Sequence, residues 1–150
     1  MNDELIFLDE SYLSAVAELY QDAFNGDPWN DDWSDGNQLR EYIKDVSNNF
    51  HGLNYGLLRE GKLIAASLGS VRHWWEGTNY NIEEFCVDKK LQGQGIGSKF
   101  MSMIEDDIKS KGLAGIFLQT DSDMPSYKFY KKNSYNELVK HVSFYKSVKE

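Results

Sequence analysis

A chain of 150 residues and 17.3 kDa suffices for one buried core and falls short of two ordinary ones, so a single domain spanning residues 1–150 is expected. Apolar residues at 41%, aromatics at 14% and charged residues at 27% exclude a disordered chain; the lone cysteine, Cys86, excludes an internal disulfide framework and a multi-cysteine metal site, and fits a reducing, cytoplasmic setting. With 16 basic against 24 acidic residues, the net charge of −8 repels phosphate backbones and draws cations, which argues against nucleic acid as a partner and for a positively charged substrate.

The opening Met1-Asn2-Asp3-Glu4 has neither the basic flank nor the long apolar run of a secretory signal. From Ser11, the residues Leu13, Val16, Ala17, Tyr20 and Phe24 recur at helical spacing, with Asp9 or Ser11 available as N-cap and Gly26 as a stop. Residues 25–36 hold Trp29, Trp33, Pro28, four aspartates and two glycines, and read as an ordered loop between helices. A second helix is predicted over 37–49, with Leu39, Tyr42, Ile43 and Val46 on one stripe.

The period then changes to two. Strands are predicted over 54–59 and 62–72, joined by a tight turn at Glu60-Gly61. The apolar stretch from Leu63 to Val71 is broken by Ser67, Gly69 and Ser70 and is about half the length a membrane helix needs, so no span is expected. A turn at Glu76-Gly77-Thr78 leads into a third strand, 80–87. A glycine-rich segment, 92–97, then enters a long helix that turns Phe100, Met101, Ile104 and Ile108 inward and ends at Gly112. A further strand is expected over 115–120, a short helix over 125–132 opened by Asp121, Ser122 or Asp123, and one or two closing antiparallel strands over 137–148. The class is α/β, with a mixed, mostly antiparallel central sheet flanked by helices.

Gln92-Gly93-Gln94-Gly95-Ile96-Gly97 lies where a strand hands over to a helix, so its main-chain N–H groups and the helix dipole form a site for phosphate. Walker A needs glycine-lysine-serine/threonine, but Gly97 is followed by Ser98-Lys99. The dinucleotide fingerprint wants a third glycine where Ser98 stands, and it should open a βαβ unit rather than follow a meander. What fits is Gln/Arg-x-x-Gly-x-Gly/Ala, preceded five residues earlier by Val87. This resembles the pyrophosphate loop of the GNAT superfamily of acetyl-CoA-dependent N-acetyltransferases. The resemblance extends through the strand Ile82-Glu83-Glu84-Phe85-Cys86-Val87 and the late segment from Ser126 to Tyr135, which is similar to the family's tyrosine motif. Departures fall at Asp123, Ser126 and Ser134-Tyr135, where the family often has Asn, Ala and Gly-Phe.

The resemblance implies a GNAT-like fold with acetyl-CoA as co-substrate. It implies cofactor contacts from Phe85, Cys86 and Val87, from Gln92, Gly93, Gln94, Gly95, Ile96, Gly97 and Ser98, and from Ser126. Acyl transfer to an amine needs the neutral nucleophile, and an alkyl ammonium with a pKa of about 10.4 is neutral at pH 7 only on the order of one part in a thousand, so a base, direct or through water, is expected. Strand alternation puts Asn81, Glu83, Phe85 and Val87 on one face and Ile82, Glu84 and Cys86 on the other, so one glutamate at most is expected to point at the acetyl group. By resemblance to polyamine acetyltransferases, which carry an acidic residue four positions before the valine, Glu83 is the candidate base; Glu84 or water is the alternative. Tyr130 matches the family's tyrosine that protonates the departing thiolate, and a main-chain N–H near Phe85 or Cys86 would meet the oxyanion.

Cys86 reads as a small core residue on the face opposite Glu83 rather than an acyl carrier, and His51, His73 and His141 show no metal-ligand spacing, so no metal is expected. By the family's layout the loop carrying Trp29, Asp31, Asp32 and Trp33 sits over the acceptor side, where indole faces and carboxylates suit an ammonium of a polyamine, an aminoglycoside-like polycation or a lysine-bearing peptide. The alternative for this loop is a solvated acidic segment with its indoles tucked into the core. A homodimer is expected by analogy with such folds. Two rival functions are a non-catalytic acyl-CoA-binding regulator and a nucleotide-binding oxidoreductase.

Overall fold

The computed structural model describes residues 2–149, which divide into two compact units that part between Gln119 and Thr120. The first unit is built on one sheet in the order β1 (Asp3–Phe7), β2 (Tyr55–Arg59), β3 (Lys62–Trp74), β4 (Gly77–Val87) and β5 (Gly115–Leu118). Neighbours from β1 to β4 are antiparallel and β5 runs parallel to β4, which is the mixed, mostly antiparallel sheet expected. The β2–β3 turn uses Glu60 and Gly61 with φ of +51° and +78°, the paired positive φ values of a type I′ hairpin. The next turn falls at Trp75-Glu76 instead of 76–78, so β3 and β4 are each longer than predicted. β1 was absent from the sequence reading: it is a five-residue edge strand whose only ladder is with β2, from Asp3↔Arg59 to Phe7↔Tyr55.

Helices α1 (Leu13–Phe24) and α2 (Gly36–Ser47) pack on one face of the sheet. Their stripes, with Val16, Leu19 and Tyr20 from α1 and Leu39, Ile43 and Val46 from α2, form one buried cluster with Ala66, Leu68 and Cys86. Helix α3 (Ile96–Ser110) packs on the other face, where Phe100, Met101 and Ile104 are fully buried, Phe100 stacks on Phe85, and the Tyr55 hydroxyl donates to Asp107 at 2.7 Å. Each fully buried apolar side chain of this size contributes about 1.5–3 kcal/mol.

Local chemistry sets the helix ends. A 3₁₀ turn at Glu10–Tyr12, capped by Asp9, precedes α1, so the helix begins at Leu13 and not at Ser11. The Asp35 carboxylate caps α2 by accepting the N–H groups of Asn37 and Gln38. At the end of α3, Gly112 at φ +75° donates to Lys109 and Leu113 donates to Ile108, the paired bonds of a Schellman motif.

The second unit contains α4 (Pro125–Lys132). Met124 occupies its N-cap with no side-chain bond, and Pro125 opens the helix without an N–H to satisfy, so none of Asp121, Ser122 or Asp123 caps it. The closing strands expected over 137–148 are not formed: these residues carry no strand, and Leu138, Val142, Phe144 and Tyr145 are exposed. Alternating composition makes a strand only when a neighbouring ladder takes up its backbone groups.

Asp3 fastens the first unit. Its side chain is fully covered, and its carboxylate accepts Arg59 Nε at 2.7 Å, a second Arg59 nitrogen at 2.9 Å and Lys99 Nζ at 2.9 Å, tying β1 to β2 and to the first turn of α3. The bonds from Arg59 and then Lys99 hold this carboxyl far below the ordinary carboxylate range. A lowered folded pKa stabilises the protein above the unfolded value near 3.8, and that stability is lost as pH falls below it. Asp3→Asn is therefore expected to cost about 1–3 kcal/mol at neutral pH and to flatten the loss of stability below about pH 4, as read by denaturant unfolding at several pH values.

Candidate functional site

The site is organised by a bulge in β4. Along the β3–β4 ladder Leu68 faces Glu84, but the next pair is Gly69 with Ile82, leaving Glu83 as one extra residue on β4. An extra residue reverses the sides to which alternate residues point. Before the bulge Tyr80 lies on the α3 face, its ring 5.5 Å from that of Tyr55 and its hydroxyl 2.8 Å from Ser67. After the bulge Glu84 and Cys86 lie on the α1/α2 face. The bulge also has a steric requirement: a Cβ at Gly69 would stand 2.1 Å from the main-chain oxygen of Asn81, so only glycine permits this approach.

This overturns the expected alternation. Ile82 does not share a face with Glu84, and Glu83 is not set apart from Glu84 and Cys86: it shares a cleft with Asp45 and Val46 of α2, on the side where Glu84 meets α1 and α2. The two glutamates differ in environment. Glu84 is partly buried and accepts the Tyr20 hydroxyl at 3.2 Å and the Tyr42 hydroxyl in a short bond. Burial pushes its pKa up; the two hydroxyls oppose that shift, while Asp31 and Glu83 add to it. Burial and then the Glu84 charge raise the Tyr20 and Tyr42 phenols as well, so both remain protonated donors. Glu83 is exposed, and its carboxylate makes no side-chain hydrogen bond among the described residues.

Around Glu84 the rings of Tyr20, Tyr42 and Trp33 pack together, with Trp33 stacked on Tyr42 at 5.2 Å and edge-on to Tyr20 at 5.6 Å. The loop before α2 is pinned to α1: Gln21 donates to the Trp33 carbonyl at 2.8 Å and the Asp31 N–H donates to the Phe24 carbonyl at 2.9 Å. Trp29 packs edge-on against Phe24, Asp32 accepts the N–H of Ser34, and Trp33 packs on the core cluster. The loop thus turns both indoles onto protein, and Asp31 is the loop carboxylate whose charge is felt at Glu84 and Tyr20.

Glu83 lines a cleft of about 400 Å³ together with Asp45 on α2, Asn49, Phe50 and His51 just beyond that helix, and Ser70 and Arg72 on β3. Sequence reasoning missed Tyr20 and Tyr42 as holders of Glu84, because both are consistent with helix stripes, and missed Arg72 and Asp45 because nothing local marks them. Cys86 was read as a core residue; burial pushes its thiol up to about 12, which leaves it uncharged.

The glycine loop lies at the far end of β4. Gln92 anchors it by donating to the Val87 carbonyl at 3.1 Å, and Gly93 and Gly95 both take φ of +80°. A Cβ at either position would meet open space, so backbone conformation, not crowding, requires glycine there. Gly95 is the N-cap of α3 and supplies no side chain to cap the first helical N–H groups, those of Ile96, Gly97 and Ser98. β5 ends at Leu118, paired with Ile82, while β4 runs on to Val87 with no parallel partner on that edge. An open strand edge followed by a side-chain-free helix N-terminus fits a long ligand with a diphosphate.

In the second unit Tyr130 lies on α4 with its ring edge-on to Phe129 at 5.2 Å and to Tyr135 at 5.6 Å. Ser126 shares a 2.6 Å hydrogen bond with Thr120. Ser134 takes φ of +70°, which gives a physical reason for the glycine common at that place in the family.

The sequence model of the Acetyltransferase (GNAT) family matches residues 13–135. A curated relative, the [ribosomal protein bS18]-alanine N-acetyltransferase of Escherichia coli K12, is 26% identical over 139 residues, covering 92% of this chain and 84% of its own. Among solved structures, an aminoglycoside acetyltransferase from an uncultured soil metagenomic sample, in complex with sisomicin, superposes with a TM-score of 0.73 at 22% identity, covering 98% of this chain and 97% of its own. An aminoglycoside N-acetyltransferase in complex with CoA gives a TM-score of 0.71 at 15% identity, covering 98% and 95%. The fold and the family match define an acyltransferase of the GNAT class. This chain belongs to the GNAT acetyltransferase family and is an acetyl-CoA-dependent N-acetyltransferase. Among the described residues no helix is long and apolar enough to cross a membrane.

Because the bulge rests on Gly69, Gly69→Ala is expected to destabilise the protein by about 1–3 kcal/mol through overpacking. Gly36→Ala, where a Cβ meets nothing within 4 Å, is the control and is expected to change stability by no more than about 1 kcal/mol. Denaturant midpoints of the two variants make the comparison.

Proposed function

We propose that this chain acetylates a primary amine of a cationic small molecule or a peptide, with Glu83 as the base and Tyr130 as the acid. The observation that carries this reading is the bulge, which puts an exposed carboxylate, Glu83, in a cleft on the same strand that leads to the glycine loop. Acetyl-CoA, when bound, supplies the thioester carbonyl. The main-chain N–H groups from Gln92 to Ser98 hold its diphosphate, and Phe85, Cys86, Val87 and Ser126 complete its contacts. Glu83 accepts the proton that the attacking nitrogen must lose. It is better suited than Glu84, whose carboxylate is engaged by two phenols and recessed beneath them. Tyr130 donates its phenolic proton to the sulfur as the C–S bond breaks, and a main-chain N–H on the open edge of β4 meets the carbonyl oxygen.

The acidic groups Asp31, Asp45, Glu83 and Glu84 give the acceptor side a negative field that draws an ammonium. Trp29, Asp32 and Trp33 contribute by holding Asp31 in place on α1 more than by presenting open faces. The buried lone cysteine supports a cytoplasmic setting, and the exposed Leu138, Val142, Phe144 and Tyr145 support a homodimer that covers them. Light scattering on the purified protein is expected to give twice the chain mass; a monomer at tens of micromolar would remove the dimer from this reading.

The mechanism is tested by following free CoA release over an amine panel. Glu83→Gln is expected to flatten the acidic limb of the pH–rate profile and to lower kcat by about 10²–10⁴-fold. Tyr130→Phe is expected to lower kcat with little change in the KM for acetyl-CoA. An unaltered acidic limb in the first variant moves the base to Glu84 or water, and an unaltered kcat in the second removes the acid role of Tyr130.

A further inference from the structure

We infer that the Glu83 cleft is built for an acceptor that carries an α-amine next to a carbonyl or carboxylate, that is, an α-amino acid unit, free or at the start of a peptide, and that Arg72 is the residue that selects it. This rests on reading the cleft as the acceptor side. The cleft of about 400 Å³ is lined by two acidic residues, Asp45 and Glu83, by one arginine, Arg72, and by His51. Among the described residues none of Asp45, Glu83 and Arg72 is in an ion pair or a side-chain hydrogen bond with another protein group, so each is available to a ligand.

The arrangement on β3 is regular. From Ser70 to Trp74 the ladder with β4 runs without a shift, so Ser70, Arg72 and Trp74 form a row on one face. Ser70 is buried, Arg72 is exposed, and Trp74 at the outer end is 57% exposed. Phe50, also lining the cleft, is fully exposed. An aromatic residue left wholly in water beside a cleft gives a side chain of the ligand an apolar surface to cover.

A pocket of mixed sign is complementary to a ligand of mixed sign. An ammonium directed at Glu83 places an adjacent carbonyl or carboxylate toward the guanidinium, whose planar fork matches such oxygens. A polyamine or aminoglycoside-like polycation, by contrast, brings a second ammonium up to Arg72. That like-charge contact discriminates against polycations even though the chain as a whole attracts them. The net charge of −8 thus governs encounter, and one arginine governs choice.

The test compares trialanine, alanine and spermidine as acceptors at one ionic strength, with the full chain and with Arg72→Gln, whose exposed site should leave folding intact. For the native chain, kcat/KM is expected to favour trialanine or alanine over spermidine by about tenfold or more, and the two alanyl compounds show whether a free or a peptide carboxyl side is preferred. Arg72→Gln is expected to raise the KM of the alanyl acceptor about tenfold or more while sparing kcat and the KM for acetyl-CoA, and to narrow the gap to spermidine. Preference for spermidine, or an alanyl KM unmoved by Arg72→Gln, overturns the inference. If no acceptor releases CoA, calorimetric titration of the same compounds separates the two readings. Alanyl binding that weakens in Arg72→Gln sustains the pocket and removes Glu83 catalysis, whereas binding indifferent to Arg72, or none, overturns the pocket as well.

Discussion

Gly69 lets β4 approach β3 so closely that the Asn81 carbonyl oxygen occupies the space where any other residue would place its Cβ. The extra residue on β4 at this point exchanges the two faces of the strand, so that Tyr80, before it, serves the α3 layer whereas Glu84 and Cys86, after it, serve the α1/α2 layer. Without that exchange, Phe85 would not meet Phe100, Cys86 would not enter the core cluster, and Glu84 would not reach Tyr20 and Tyr42. One close backbone contact therefore sets packing on both sides of the sheet and the chemistry between them.

The two neighbouring glutamates show how position divides labour. Glu84 is costly to bury, and two phenolic hydroxyls offset part of that cost without supplying a countercharge. A carboxyl whose folded pKa is raised above 4.5 weakens the fold as pH rises from there through its folded value, because the unfolded chain ionises first. Asp3 has the opposite sign, since Arg59 and Lys99 favour its charge. The fold thus keeps its paired acid, Asp3, at the edge, where it fastens β1 to α3, and its unpaired acids, Asp45 and Glu83, at the cleft. Lys99 ties that edge to α3: its ion pair with Asp3 sits in the first turn of the helix whose N-terminus follows the glycine loop.

The relatives that share this fold carry names with different acceptors, an aminoglycoside in some and a ribosomal protein in another. In this chain the glycine-rich entry to α3 lies at one end of β4, and a cleft of mixed charge lies beside the partly buried Glu84 at its bulge. A shared scaffold fixes the reaction, and the side chains grafted around it fix the partner.

Much of the donor side was legible in order along the chain. The helix stripes, the Glu60-Gly61 hairpin, the Gly112 stop and the run from Gln92 to Gly97 are local patterns, decided by period, capping and φ within a few residues. The acceptor side was not legible in the same way. β1 is an edge strand defined by its pairing with β2, and the expected strands after residue 137 lacked such a partner. Strict alternation also groups Ile82 with Glu84 and sets Glu83 apart from it, because a bulge is an event between two strands and leaves no period of its own. The bonds from Tyr42 and Tyr20 to Glu84 span 42 and 64 residues. The sequence by itself determined a glycine-turned loop at the start of a helix, since its glycines need only their own backbone angles. Only the tertiary structure decided which carboxylate meets the cleft and which is clasped beneath it, because that depends on how closely one strand can lie against another.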